Sequence, residues 1–137
     1  MKLSKKGEYA LMAMIVLSMH YGKDTLQTKE IAEQENIPVK FLEQILLELK
    51  KAGILESKRG SRGGYKMIKD PEDVSLAYVI RIIDGPLAPI NCVSQMAHVK
   101  CPREKTCGLY KTMLDVRNAI SDILEGVSFQ DIIDRYE

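Results

Sequence analysis

Between Thr28 and Gly64 the chain carries, without interruption, the signals of a helix, a tight turn, a second helix and a glycine-rich hairpin. Thr28 can cap a short helix whose apolar face starts at Ile31, and Asn36-Ile37-Pro38 breaks it. From Val39 to Ala52 the residues Leu42, Ile45, Leu46 and Leu49 recur at helical spacing, which turns Lys40, Glu43, Gln44 and Leu47 outward. Gly53 ends this helix as a left-handed cap. Ile54-Leu55-Glu56-Ser57 then alternates into Lys58-Arg59-Gly60-Ser61-Arg62-Gly63-Gly64 and returns as Tyr65-Lys66-Met67-Ile68. That order predicts a winged helix-turn-helix, the hairpin being its two-stranded wing.

The order carries chemistry. In such a motif the second helix enters the major groove, and a wing directly after it lies over the flanking backbone or minor groove. Glycines at the tip let the backbone approach a phosphate while Lys58, Arg59 and Arg62 supply positive charge, although a basic glycine-rich tip taken alone is equally well a solvated turn. The residues expected at double-stranded DNA are Thr28, Lys40, Phe41, Glu43 and Gln44 on the helices, with Arg59, Gly60, Arg62 and Gly63 on the wing. Arg59 is suited to bidentate contact with guanine or to a narrow minor groove, and Glu43 to accepting from cytosine or repelling unsuitable bases. The formal net charge of +1 hides an asymmetry: residues 1–70 carry 13 basic and 9 acidic groups, residues 71–137 carry 7 and 10. The excess positive charge therefore lies in the half with the motif. It is a modest field, so binding is expected to depend on placed residues and on two copies of the site.

At 137 residues and 45% hydrophobic, the chain is long enough for one principal domain with a sizeable core. Ser4 is the expected cap of a first helix running to about Tyr21, so apolar that it must be heavily buried. His20 at its end complements the helix dipole and needs no further role. After the wing, a turn at Lys69–Asp73 leads to a helix containing Leu76, Val79, Ile80, Ile82 and Ile83, ended by Asp84-Gly85-Pro86. From Gly108 to Gly126, Leu109, Met113, Val116, Ile120 and Ile123 alternate gaps of four and three, a coiled-coil-like seam. Met113, Val116, Ile120 and Ile123 are accordingly expected at a dimer interface, with packing within the chain as the alternative. Ser128 caps a last short helix. The predicted class is mainly α with a small two-stranded β wing, organised as a winged helix-turn-helix domain (1–85), a cysteine-containing loop (86–107), and a long dimerisation helix with a C-terminal helix (108–137).

That loop holds Cys92, Cys101 and Cys107 at the spacing C-x8-C-x5-C, with Lys100, Arg103 and Lys105 nearby to stabilise thiolates. Thiolates suit an iron-sulfur cluster or zinc, but the tight C-x2-C pairs of structural zinc are absent, and a thiol switch or uninvolved cysteines remain open on spacing alone. Three cysteines cannot all pair within a chain, which fits a reducing cytoplasm better than a secreted disulfide framework. The apolar run Ala10–Met19 lacks a cleavage site and is too short to span a bilayer, so neither a signal peptide nor a membrane partner is expected. A small thiol or metal enzyme using Cys107 with His98 is the reading from another class, but nothing resembles an oxyanion hole or a substrate cleft.

Almost end to end, the chain resembles the Rrf2 family of bacterial winged helix-turn-helix transcription regulators. The resemblance rests on Met1-Lys2-Leu3-Ser4, Tyr9-Ala10, Ile31-Ala32, Phe41-Leu42-Glu43-Gln44-Ile45-Leu46, Leu49-Lys50-Lys51-Ala52-Gly53, Arg59-Gly60, Gly63-Gly64-Tyr65 and the three cysteines. It implies a homodimer crossed through the long helix, two winged helices on successive turns of a palindromic operator, and a two-iron or four-iron cluster held by Cys92, Cys101 and Cys107 that senses iron, redox or nitric oxide status. A cluster-free regulator using a thiol switch or a partner protein is the alternative. Some members carry a histidine three residues after the last cysteine where this chain has Tyr110; His98 is a substitute within the loop. In others an acidic residue near the place of Glu8 reaches the cluster from the partner subunit, which makes Glu8 a candidate fourth ligand.

Overall fold

A computed structural model describes residues 3–61, 63–87 and 107–136. Among the described residues, six α-helices and one hairpin follow in the order α1 (Lys5–Met19), α2 (Thr28–Glu35), α3 (Val39–Lys51), β1 (Leu55–Lys58), β2 (Gly64–Met67), α4 (Leu76–Asp84), α5 (Gly108–Glu125) and α6 (Phe129–Asp134), with a 3-10 turn at Pro71–Asp73 before α4.

The first helix is the central post. Ser4 caps it by accepting from the Gly7 amide at 2.9 Å. Ala10, Ala13, Met14, Val16 and Leu17 are all buried, because helices pack against α1 on several sides. The helix stops at Met19, two residues short of the expected end; His20 is its C-cap, and the imidazole Nδ1 lies 3.4 Å from the Val16 carbonyl oxygen.

Leu42, Ile45, Leu46 and Leu49 of α3 are fully buried and meet Met14, Leu17, Ile31, Ile54 and Phe129 in one core. Each such side chain contributes roughly 1.5–3 kcal/mol by leaving water. The C-terminus of α4 is fastened to the start of α1 by Asp84, whose carboxylate accepts from both the Ser4 amide and hydroxyl. Phe129 opens α6 and is fully buried against that same core. Its backbone N–H donates to the Val74 carbonyl at 3.1 Å, and Leu76 donates to Val127 at 3.0 Å, so the chain end is tied to the start of α4.

Candidate nucleic-acid interface and sensor segment

A left-handed residue makes the turn between α2 and α3. Asn36 has φ 54°, the Ile37 amide donates to the Ala32 carbonyl at 2.9 Å, and the Ile37 side chain is buried. Asn tolerates this conformation better than other residues with a Cβ. The sequence placed the α2 cap at Thr28; the structure places it one residue earlier, at Gln27, with Thr28 as the first helical residue. Glu30 decides the register, because its carboxylate accepts from the Gln27 backbone N–H at 3.4 Å, the reach-back half of a capping box.

On α3 the expected outward face is outward: Lys40, Glu43, Gln44 and Leu47 are exposed. Phe41 differs from these neighbours. Its half-buried ring meets Tyr9 of α1 edge-on, with centroids 5.6 Å apart, so it braces the first turn of α3 against α1. Glu48 is engaged by Lys6 at 2.6 Å, which ties the far end of α3 to α1 and neutralises one carboxylate of that helix.

β1 and β2 pair antiparallel from Leu55 opposite Met67 to Lys58 opposite Gly64. The hairpin is held to the helices at several points. Lys50 of α3 donates to the Ser57 hydroxyl at 2.8 Å, and Leu26 and Tyr65 exchange backbone hydrogen bonds of 2.9 and 2.8 Å. Gly64 makes the second contact possible: its φ is 151°, and a Cβ there would collide with the Leu26 carbonyl. At the tip, Gly63 donates to the Gly60 carbonyl at 2.9 Å, and the Gln27 side-chain amide donates to the Ser61 carbonyl at 3.0 Å. Arg59 and Gly60 are exposed at this tip, whereas Gly63 is buried in the turn. Arg62 lies outside the described residues. Sequence reasoning missed Gln27; the signal available was its place three residues before Glu30.

Of the metal candidates, Cys107 is a free, half-buried thiol at the N-cap of α5. Cys92, Cys101 and the alternative ligand His98 lie outside the described residues. Glu8 is exposed in the first turn of α1, 3.5 Å from Lys5. Cys107 and Glu8 thus have chemistry and access that fit metal ligation, and among the described residues no three potential ligands converge on one point.

The expected seam of α5 is divided by the structure. Leu109, Val116 and Ile123, spaced by seven, are 59%, 38% and 65% exposed. Ile120, by contrast, packs with Leu124 against Ala77, Ile80 and Leu87 of the same chain, and Met113 is half-buried. Ile120 therefore has an intramolecular partner that the seven-residue repeat could not reveal. Among the described residues no helix is long and apolar enough to cross a membrane.

Comparison with known proteins places this geometry in a family context. The family model described as "Rrf2: Iron-dependent Transcriptional regulator" matches residues 3–135. The chain is similar to the rrf2-like HTH-type transcriptional regulator of Rhodobacter capsulatus, with 36% identity over 137 residues, covering 96% of this chain and 91% of the relative. Its structure is similar to that of CymR, the global cysteine regulator of B. subtilis, at TM-score 0.80 and 27% identity over 98% of each chain. It is similar also to IscR of T. potens, at TM-score 0.77 and 28% identity over 100% of this chain and 89% of that one.

Proposed function

Because the chain belongs to the Rrf2 family of transcriptional regulators, we propose that it is a homodimeric, DNA-binding sensor of iron, redox or nitric oxide status whose cysteine segment holds an iron-sulfur cluster. The observation that carries the DNA-binding part is the joint presentation of the exposed α3 face, Lys40, Glu43 and Gln44, with a wing tip bearing Arg59 and strapped to the same helices. Residues 1–85 then read a palindromic operator, 86–107 sense, and 108–137 join two copies, with Thr28, Gly60, Arg62 and Gly63 at the backbone.

The sensing part rests on three cysteines within one segment, the last of them at a helix N-terminus. Cys92, Cys101 and Cys107 would be the thiolate ligands of a two-iron or four-iron cluster, and Glu8 of the partner subunit the fourth. Bound there, a cluster supplies an oxidisable, labile group whose state changes with the signal. A carboxylate is a weaker ligand than a thiolate, so Glu8 would be the ligand most readily displaced by a small molecule. The second reading, a cluster-free thiol switch, is favoured by the free, half-buried Cys107 and by similarity to a regulator named for cysteine.

Anaerobic purification separates the two. A cluster sensor is expected to show charge-transfer absorption and a Mössbauer signal from bound iron, both lost in Cys101→Ala. Glu8→Ala is expected to keep the cluster but shift its spectrum and shorten its lifetime in air. Iron-free protein whose operator affinity responds to thiol oxidants alone would establish the switch instead.

A further inference from the structure

We infer that Gln27 is a positioning residue for DNA recognition, setting where the wing tip, and with it Arg59, stands relative to α3; the inference rests on the DNA-binding reading above. Three observations carry it. The amide of Gln27 donates to the Ser61 carbonyl at 3.0 Å, joining positions 34 residues apart. Its own backbone is fixed at the start of the helix-turn-helix, since it is the N-cap of α2 and its N–H is held by Glu30. The residue before it, Leu26, already forms the backbone bridge to Tyr65 at the base of the wing.

The Leu26–Tyr65 bridge holds the base of the hairpin, and the Ser61 carbonyl lies beyond it at the tip. The Gln27 bond joins the start of the recognition motif directly to that tip. Both partners are exposed in the free protein, so water competes for the bond and its loss costs the fold little. On a duplex the same groups are covered. The Ser61 carbonyl, left without its donor near phosphates, would then repel them, and the tip would move away with Arg59.

The role is tested by recovering an operator from a random duplex library with the wild-type protein, then measuring competition by versions altered only in the flanks that the wing covers. Arg59→Ala is expected to lose flank discrimination, and Gln27→Met, which keeps volume and neutrality but cannot donate, to lose roughly fivefold of it, the size of one hydrogen bond. The double variant is expected to lose no more than Arg59→Ala, because Gln27 acts only through the tip. The Arg59→Ala midpoint is expected to match the wild type, and the two variants carrying Gln27→Met to melt slightly lower and equally, because Gln27 also caps α2.

Unchanged flank discrimination in Gln27→Met, or additive losses in the double variant, would overturn the inference. So would uniform weakening on all flanks, which marks a direct phosphate contact by Gln27. Should Gln27→Met not fold, side-chain nitrogen-15 relaxation of wild-type Gln27 decides instead: an amide as ordered as the backbone supports the bond, and a freely rotating one refutes it. A wild-type protein that recovers no motif at all brings down the DNA-binding reading itself, a result distinguishable from each of these.

Discussion

Two residues show how much local chemistry the fold demands. Gly64 sits at φ 151° with its missing Cβ aimed at the Leu26 backbone, an obstacle that cannot rotate away as a side chain could. Gly64→Ala should therefore cost about 1–3 kcal/mol or more, and denaturant titration should show it alongside weakened DNA binding, because the bridge to Leu26 opens. Asp131 is the other. The backbone N–H of Ser128, and next its hydroxyl, hold the Asp131 carboxyl below its ordinary 3.8, in the capping box of α6. A lowered folded-state value means that the ionised form stabilises the fold above the unfolded value, and that this contribution is lost as pH falls through the folded value. Asp131→Asn should thus be less stable than wild type near neutrality, and the two melting curves should converge on acidification below about pH 4. A constant gap across that range would exclude the linkage. Ser128 as the cap was legible in the sequence, since serine before an apolar run with an acid three residues on is a local signal. The α2 cap was misplaced by one residue because Thr28 is itself a good cap and only the reach of Glu30 separates the two.

At the scale of elements, α5 is the informative case. A seven-residue repeat says that one face is apolar, not which neighbour covers it. Half of that face is closed by α4 through Ile120, and the row Leu109, Val116 and Ile123 stays open. The two rows should therefore answer differently to the same insult. Ile123→Glu places a charge where the chain itself buries little, and is expected to give a folded monomer by sedimentation with native circular dichroism. Ile120→Glu forces a carboxylate between α4 and α5, and is expected to destabilise the protomer by several kcal/mol. A folded Ile123→Glu dimer would move the subunit interface elsewhere. In α3 the sequence identified the buried row and the exposed Lys40, Glu43, Gln44 and Leu47, because a single helix with strongly segregated residues carries its own orientation. Phe41 is the exception: its packing partner, Tyr9, comes from a different helix.

For the whole molecule, a net charge of +1 gives little bulk attraction for DNA, so on the proposed function recognition is expected to depend on two placed copies of the motif. A duplex carrying both half-sites should bind roughly 100-fold or more tighter than a half-site of equal length, and that advantage should vanish in Ile123→Glu. Gel-shift titration at fixed salt measures it; equal affinities would mean that the copies act independently. The amino-acid sequence by itself determined the helix-turn-helix, the wing, the outward face of α3, and the grouping of three cysteines in one segment. All of these are local: spacing sets which side of a helix is apolar, and glycine or Asn-Ile-Pro sets where it stops. The tertiary structure decided the rest. It put Phe129 from the far end of the chain into the core, strapped the wing to Leu26 and Gln27, fastened Asp84 to the cap of α1, and packed Ile120 against α4. Each of these joins residues distant in the chain, and such contacts are chosen by how whole faces pack together, which no pattern within one element encodes.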